Sequence, residues 1–384
     1  LSSSNSTEEM RALQKEMSPL FSSHNDDIYL NDKLFARVKA VYDSRESLTL
    51  TPEQGKILEN IYKRFVNSGA NLGEEEKNKL REINKELSML QLTFSQNLLH
   101  ETNNTFVTAN SIEELKGLPQ ANIDAAAKMA ADNGQPGKWM FNMQRPSCNP
   151  VLQYCENREL REKVYKAYYN RGNQENDYDS KEVCARIVTL RLEKARLMGY
   201  ENYAQMVLEE RMAKTPEAVF ELLDQVWAPA VAKAKEELDD IRAEIRKEGK
   251  NFEPAGWDYM FYLDKAKKAK YSVDEQEIRK YMEESNVMKG IFHVAGKLYG
   301  ITFKEITADV PAYEPTAKAY EVVDRDGTTL AIFYSDNFPR ESKRAGAWCT
   351  SFRPQSYRNG ERIIPIVVNS CNMTLPNSEG YALQ

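Results

Sequence analysis

The residue types that most often perform catalysis are few in this chain and lie far apart. Its three histidines are His24, His100 and His293, and none lies within five residues of another. Because a helical zinc site needs two histidines about one turn apart, this spacing excludes a histidine pair. The cysteines form no C-x-x-C pair, and they are Cys148, Cys155, Cys184, Cys349 and Cys371. The sequence therefore predicts no catalytic residue and no metal ligand, and its thiols are expected to be free and mostly buried.

Other short motifs with a defined chemistry are also missing from the sequence. It contains no glycine-rich phosphate loop, no G-x-S-x-G and no H-E-x-x-H. The net charge is -6, and the acidic and basic residues are interspersed along helical faces. Because phosphate binding needs a concentrated basic surface, this pattern disfavours nucleic acid as a partner.

One short segment has residue types that suit the binding of a peptide. Ala345 and Ala347 flank Gly346, and Trp348 follows them. Small residues beside a glycine let a second backbone approach closely, and an open sheet edge captures an extended peptide by main-chain hydrogen bonds. We therefore predict that Gly346, Ala347 and Trp348 bind substrate, with Trp348 as an anchor on one face. The alternative is that Gly346 serves only a bulge or a bend in the strand.

The connection before that segment is rich in charged residues, namely Asp336, Arg340, Lys343 and Arg344. We predict that these side chains form a lattice of ion pairs that fixes the loop. A catalytic role is less favoured, because charge pairs at protein surfaces are common.

The elements that would position these residues are mostly helices. Thr51, Pro52 and Gln54 match a capped helix start with a capping box. The apolar residues from Leu80 to Leu98 recur every three or four positions, which predicts a long helix with a buried stripe. A short loop between these two helices predicts an antiparallel helical hairpin.

The hydrophobic period changes from 3.6 to 2 near Gly300. The segments "ITFKEI", "AKAYEVVD", "TTLAIFYSD", "AGAWCTSF" and "RIIPIVVNS" predict strands, and Asp326-Gly327 predicts a hairpin turn. We therefore predict a mainly α (α+β) protein, with long antiparallel helices followed by a small antiparallel sheet of four or five strands. The predicted domains are a helical domain over 1–300 and a β-rich region over 301–384.

No run of apolar residues approaches the length of about 18 that a transmembrane helix needs. The chain begins with the polar segment "LSSSNSTEEM" and not with Met, so we expect its natural N-terminus to lie upstream. Unpaired cysteines favour the cytoplasm. The periplasm is the alternative, if a secretion signal has been removed upstream.

Several segments resemble the thimet oligopeptidase/neurolysin family of zinc metallopeptidases. "FYSDNFPRESKRAGAW" (333–348) is similar to the strands that precede the zinc-binding helix in that family. Gln355-Ser356 and "PIVVNSCN" (365–372) are most similar to the bacterial peptidyl-dipeptidase (Dcp) branch. The segments 18–45, 84–103, 192–219 and 256–282 are similar to the same branch, so the resemblance extends over nearly the whole chain.

The resemblance implies a neurolysin-like cleft fold and a zinc-dependent peptidase. In family members an H-E-x-x-H helix supplies two zinc-binding histidines and the glutamate that activates water, and a further glutamate completes the metal site. None of these is present here, so we expect an internal fragment that ends at Gln384, just before the zinc helix. The full-length parent is expected to bind zinc. The fragment is expected to bind none and to be inactive.

The implied function is the hydrolysis of short peptides, with release of C-terminal dipeptides. The expected partners are short peptide substrates, and the chain is expected to be a monomer. An endo-acting oligopeptidase of the same family is one alternative. A non-catalytic helical peptide-binding protein, which has lost the metal-binding half, is the other.

Overall fold

Helices account for most of the first 300 residues in the computed structural model, which describes residues 2–376. The helices are α1 (Glu8–Tyr29), α2 (Asp32–Asp43), α3 (Pro52–Asn67), α4 (Glu74–Asn104), α5 (Gln120–Asp132), α6 (Arg145–Tyr154), α7 (Arg158–Tyr169), α8 (Lys181–Leu197), α9 (Tyr203–Leu208), α10 (Pro216–Lys247), α11 (Gly256–Tyr271), α12 (Glu275–Arg279) and α13 (Glu284–Tyr299). Two short 3-10 turns occur at Arg45–Ser47 and Ile112–Leu115.

Most of the strands follow the last of these helices. The strands are β1 (Phe106–Ala109), β2 (Trp139–Asn142), β3 (Thr302–Glu305), β4 (Lys318–Val323), β5 (Thr329–Asp336), β6 (Trp348–Arg353), β7 (Ser356–Arg358), β8 (Glu361–Ile363) and β9 (Ile366–Ser370). The mainly α, α+β fold is confirmed, because 57% of the structure is helical and the sheets are small. The predicted domain boundary near Gly300 coincides with the change from helix to strand and stays a prediction.

The local sequence explains where several helices begin and end. Thr51 caps α3, its side chain accepts a hydrogen bond from the backbone of Gln54, and the predicted capping box is present. Gly300 ends α13 with a left-handed φ of 75°. Ser272 ends α11 with a left-handed φ of 55°. Asp274 caps α12, since its side chain accepts a hydrogen bond from the backbone of Gln276.

The chain forms two compact units. Unit 1 contains the described residues of Leu1–Thr7, Glu101–Arg171 and Glu236–Gln384. Unit 2 contains Glu8–His100 and Gly172–Lys235.

Unit 2 is held together by apolar faces of helices. In α4, Leu80, Ile83 and Leu87 are buried, and the last two pack against α8. The predicted stripe is therefore core over this part of the helix, whereas Phe94 is 36% exposed. A second cluster joins α2 to α3, where the rings of Phe35 and Phe65 stack with centroids 5.9 Å apart.

The helical core of unit 1 surrounds a two-stranded ribbon. β1 and β2 pair antiparallel, with Phe106 opposite Asn142. Phe141 of β2 packs with Val151 of α6 and Val164 of α7, and all three are buried. This packing places the start of α6 next to the end of β2.

Unit 1 also contains a five-stranded sheet with the order β3-β4-β5-β9-β6. The β4–β5 hairpin turns at Asp326-Gly327 as predicted, and Gly327 has a φ of 86°. The pairs β3–β4, β4–β5 and β6–β9 are antiparallel, but β5 and β9 are parallel. The sheet is therefore mixed, because β9 returns between β5 and β6. An additional hairpin, β7–β8, turns at Asn359-Gly360.

Candidate functional site

A cleft of about 370 Å³ lies within unit 1, at one end of the β6–β9 pair. One wall is formed by 345–347, which precede β6, and by 371–373, which follow β9. Because β6 and β9 are antiparallel neighbours, the chain entering β6 lies beside the chain leaving β9. The remaining lining comes from Thr102, Lys343 and 144–146. Two of the three residues predicted to bind substrate therefore line one cleft.

Gly346 has a backbone conformation that favours glycine. Its φ is 96°, in the left-handed region that L side chains rarely adopt. A Cβ added at Gly346 would meet no atom within 4 Å. The conformation, and not a lack of room within this fold, is what requires the glycine. The space next to Gly346 is open to an incoming backbone.

Several backbone groups beside Gly346 have no hydrogen-bond partner in the part of the chain that the structure describes. The Gly346 carbonyl accepts a hydrogen bond of 2.7 Å from Asn372 Nδ2, which also donates to the Arg344 carbonyl at 3.0 Å. Within residues 2–376, the N–H of Gly346 and both backbone groups of Ala347 have no hydrogen-bond partner. Asn372 therefore fixes the segment, while Ala347 and one side of Gly346 face the cleft unpaired.

Trp348 lies next to these residues but does not line the cleft. It is the first residue of β6 and stands opposite Ser370 in the register. The Arg344 guanidinium carbon lies 4.7 Å from the centre of the indole, and Lys343 Nζ lies 6.0 Å from it. Two cations thus approach the half-buried ring, an arrangement that suits a cation–π contact. We infer that Trp348 holds the start of β6 in place.

A buried group of charged residues precedes the cleft. Asp336 is fully buried, and its carboxylate accepts two hydrogen bonds of 2.9 Å from Arg340. Lys343 Nζ donates to the same carboxylate at 2.9 Å, and the Tyr313 hydroxyl donates at 2.8 Å. Burial alone would raise the pKa of Asp336, but these donors hold it below its usual range. Asp336 is therefore ionised at neutral pH.

Lys343 links the chain after β5 to the chain after β9. Its ammonium donates to the carbonyls of Asp336 at 2.7 Å, Phe338 at 2.9 Å and Cys371 at 2.5 Å. Burial lowers the pKa of Lys343, while the hydrogen bond to Asp336 acts in the opposite direction. The predicted ion-pair lattice is present for Asp336, Arg340 and Lys343. It does not include Arg344, which stacks on Trp348.

The N-terminal segment of unit 1 also holds this loop. The Arg344 N–H donates to the Ser3 carbonyl at 2.9 Å, and the Ser6 N–H donates to the Ser342 carbonyl at 2.6 Å. Arg340 donates to the Ser4 carbonyl as well. The loop before Gly346 is thus held by the N-terminal segment as well as by the buried Asp336 group.

The sheet beside the cleft has an open edge. Within the described part of the chain, β6 pairs with β9 on one side and with no strand on the other. Its residues from Cys349 to Arg353 are exposed. About half of the peptide groups of an edge strand point away from its neighbour, so β6 can accept an additional strand. An extended peptide at β6 would continue towards Gly346 and Ala347.

The described residues do not fit a zinc ion. Between residues 2 and 376, no group of three His, Cys, Asp or Glu side chains could hold a metal. All five cysteines are free, and burial raises the pKa of Cys148 to about 11. No helix in the same range is long and apolar enough to cross a membrane.

Two residues of the cleft were not found from the sequence. Asn372 ends the segment 365–372 that carried the family resemblance, but its contact with Gly346 joins positions 26 residues apart. Arg145 begins α6 and lines the same cleft, although it lies far from Gly346 in the sequence. No local pattern marks either residue, because both reach the cleft only through the folding of distant segments.

Comparison with known proteins places the chain among peptidases. A family model described as Peptidase family M3 matches residues 151–383. Dipeptidyl carboxypeptidase of Escherichia coli strain K12 is 34% identical over 384 residues, which is 100% of this chain and 56% of that protein. Oligopeptidase A of Haemophilus influenzae is 30% identical over 388 residues, which is 100% of this chain and 57% of that protein.

A third relative, thimet-like oligopeptidase of Dictyostelium discoideum, is 28% identical over 98% of this chain and 56% of that protein. The chain spans about half the length of the curated relatives it matches. The resemblance drawn from the segments around Gly346 is confirmed, because the family model covers more than half of the chain. The chain belongs to Peptidase family M3.

Proposed function

We propose that this chain is part of a zinc-dependent peptidase that hydrolyses short peptides and releases dipeptides from their C-terminus. The observation that carries the proposal is the cleft at Gly346 and Ala347, whose unpaired backbone groups lie beside an open strand edge in a chain of family M3. The similarity to a dipeptidyl carboxypeptidase supports the release of dipeptides.

The role of this chain in the reaction is to bind and orient the substrate. An extended peptide gains affinity from main-chain hydrogen bonds, so Gly346, Ala347 and β6 would hold it in one register. Asn372 and the buried Asp336 group keep those backbone groups in place before the peptide arrives. Such positioning matters for rate, since a misplacement of about 1 Å can cost on the order of 100-fold.

Zinc is proposed for the parent protein, by which we mean the natural gene product that contains this chain. Peptidases of family M3 are zinc-dependent in general, and zinc supplies an activated water for hydrolysis when it is bound. Residues 2–376 offer no ligand set for the metal. We propose that the ligands lie outside this chain, and that the chain alone binds no zinc and hydrolyses no peptide.

The experiment that tests this function is product analysis with the parent protein. Mass spectrometry of unfolded peptides of 5 to about 15 residues should show successive loss of C-terminal dipeptides, and a chelator should stop the reaction. A parent protein that cleaves no peptide in the presence of zinc would contradict the proposal. Metal analysis of the 384-residue chain after washing with chelator tests the second part, since one zinc per chain would contradict it.

An endo-acting oligopeptidase is the second candidate. It is favoured by relatives named Oligopeptidase A, which match at 30% and 31% identity. Internal cleavage would give fragments of several lengths at the first time points, whereas exo-cleavage gives dipeptides only. The same product analysis therefore separates the two candidates.

We also propose a cytoplasmic location and a monomeric state. The free state of all five cysteines supports a reducing compartment. Fractionation of the source cells would test the location, and light scattering of the parent protein would test the oligomeric state.

A further inference from the structure

The charge of the cleft at Gly346 is positive and poorly compensated. Among the described residues 2–376, its lining contains the cations Arg145 and Lys343 and no aspartate or glutamate. Lys343 is fully occupied, since its ammonium is buried against Asp336 and three backbone carbonyls. The remaining positive charge of the cleft therefore belongs to Arg145.

The guanidinium of Arg145 is hydrogen-bonded by the described residues at only one of its three nitrogens, and its two terminal nitrogens are called its fork below. Its Nε donates to the hydroxyl of Tyr168 at 3.4 Å, and its two terminal nitrogens have no partner among residues 2–376. Arg340, in the same unit, shows the contrasting state, because both of its terminal nitrogens contact Asp336. Arg145 is exposed and forms no ion pair with the described residues. Its fork is thus available to a ligand in the cleft.

The two terminal nitrogens of Arg145 are suited to bind a carboxylate. Two parallel N–H donors of an arginine match the two oxygens of a carboxylate, and such bidentate pairs are stronger than neutral hydrogen bonds. A peptide in the cleft offers a carboxylate at its C-terminus or on an acidic side chain. The unpaired backbone groups of Gly346 and Ala347 would hold the main chain of the same peptide.

We propose that Arg145 is a specificity-determining residue that binds a carboxylate of the peptide substrate in this cleft. The inference rests on the proposed function, because it takes a peptide as the ligand. Arg145 would set which peptides bind well and in which register, and it would perform no bond-breaking step.

The test compares peptides that differ only in one carboxylate. Binding of a short alanine-based peptide to the chelator-treated parent protein is measured by calorimetry, as the free acid and as the C-terminal amide. A second pair of C-terminal amides carries either aspartate or asparagine at one internal position. We expect the unchanged protein to bind one acid at least about tenfold more tightly than its neutral counterpart.

Variants then assign that preference to Arg145. Arg145→Gln should bring the ratio of the two dissociation constants close to one, and Arg145→Lys should keep part of it. Tyr168→Phe is the matched control, because it removes the same hydrogen bond but leaves the charge, and it should keep most of the preference. With the zinc-loaded protein, Arg145→Gln should raise KM for acids far more than it changes kcat.

The outcomes separate this inference from the proposed function. Loss of the preference in the first peptide pair identifies the terminal carboxylate, and loss in the second identifies an acidic side chain. An unchanged protein that binds acid and amide alike, or an Arg145→Gln variant that keeps the preference, overturns the inference alone. An unchanged protein that binds none of the four peptides overturns both.

Discussion

Two buried aspartates in unit 1 have similar partners and hold different structures. Asp258, at the start of α11, accepts hydrogen bonds from Arg158 and Arg161 of α7. Asp336, at the end of β5, accepts them from Arg340 and Lys343. Both carboxylates are fully buried.

The difference lies in the element that each aspartate fixes. The first cluster joins two helices, and the Arg161 guanidinium lies 4.1 Å from the ring centre of Phe261. The second cluster fixes the loop that leads to Gly346, and Lys343 lines the cleft itself. Similar ion pairs therefore join two helices in one place and fix a loop beside the proposed peptide cleft in the other. Variants of the two aspartates would separate these two roles.

The largest loss of stability is expected for Asp258→Asn. The change leaves the guanidinium of Arg161, which is 1% exposed, without a counter-charge. Breaking a buried pair by removing one partner costs about 3 to 5 kcal/mol. Urea unfolding should show this loss, while peptide affinity per folded molecule stays unchanged. A large change in that affinity would mean that the α7–α11 cluster also acts on the cleft.

A somewhat smaller loss of stability is expected for Asp336→Asn, about 2 to 4 kcal/mol. Lys343 keeps three backbone carbonyls, and burial already lowers its pKa, so it can give up its proton. Unlike the change at Asp258, this one should also weaken peptide binding, because the loop before Gly346 is released. Calorimetry on both variants makes the comparison, and equal peptide affinities would contradict the assigned roles.

A local effect is expected for Asn372→Ala. The variant loses the hydrogen bonds to the Arg344 and Gly346 carbonyls, each worth about 1 kcal/mol or less at an exposed position. Stability should fall little, but KM of the parent protein should rise about tenfold or more, since a misplaced segment binds the peptide badly. Asn369→Ala is the control, because its amide contacts the sulfur of Cys371 and not the 344–346 backbone. Equal kinetics in both variants would contradict the role of Asn372.

The two aspartates also predict a dependence of stability on pH. Burial would raise the pKa of both Asp258 and Asp336, but hydrogen bonds from cations hold it below the usual range of an aspartate. A carboxylate with a lowered folded pKa stabilises the protein above its unfolded pKa, and this stability is lost as pH falls through the folded pKa. Urea unfolding from pH 7 to pH 3 should therefore show a steep acid loss. Either Asn variant should show a shallower one, and an unchanged slope would contradict the ion pairs.

The sequence predicted the elements of this fold better than their arrangement. Capping residues and apolar spacing are local, so α3, the buried part of α4 and the end of α13 at Gly300 could be predicted. The β7–β8 hairpin was missed although Asn359-Gly360 carries a strong hairpin signal, and both residues have positive φ.

The candidate site shows where local patterns stop being informative. Gly346 and Ala347 line the cleft and could be singled out from the sequence, because small residues beside a glycine allow a second backbone to approach. The parallel pairing of β5 with β9 was not predicted, since a period of two does not encode which strands become neighbours. Asn372 and Arg145 line the cleft only because the folded chain brings their segments together. Their roles depend on distances between segments, which no single segment encodes.

We propose that a peptide backbone lies against Gly346, and one pair of variants tests this placement. Gly346→Val and Gly327→Val place a side chain at two glycines with positive φ, where an added Cβ meets no atom within 4 Å. Both variants should lose similar stability, about 1 to 2 kcal/mol or more from backbone strain. Gly327 lies in the β4–β5 hairpin turn and does not line the cleft.

The measurement is kcat/KM of the zinc-loaded parent protein for a short peptide, corrected for the folded fraction. The account predicts a loss on the order of 100-fold for Gly346→Val and a nearly normal value for Gly327→Val, because only the first side chain meets the substrate backbone. Normal kinetics in folded, zinc-loaded Gly346→Val molecules would contradict the claim.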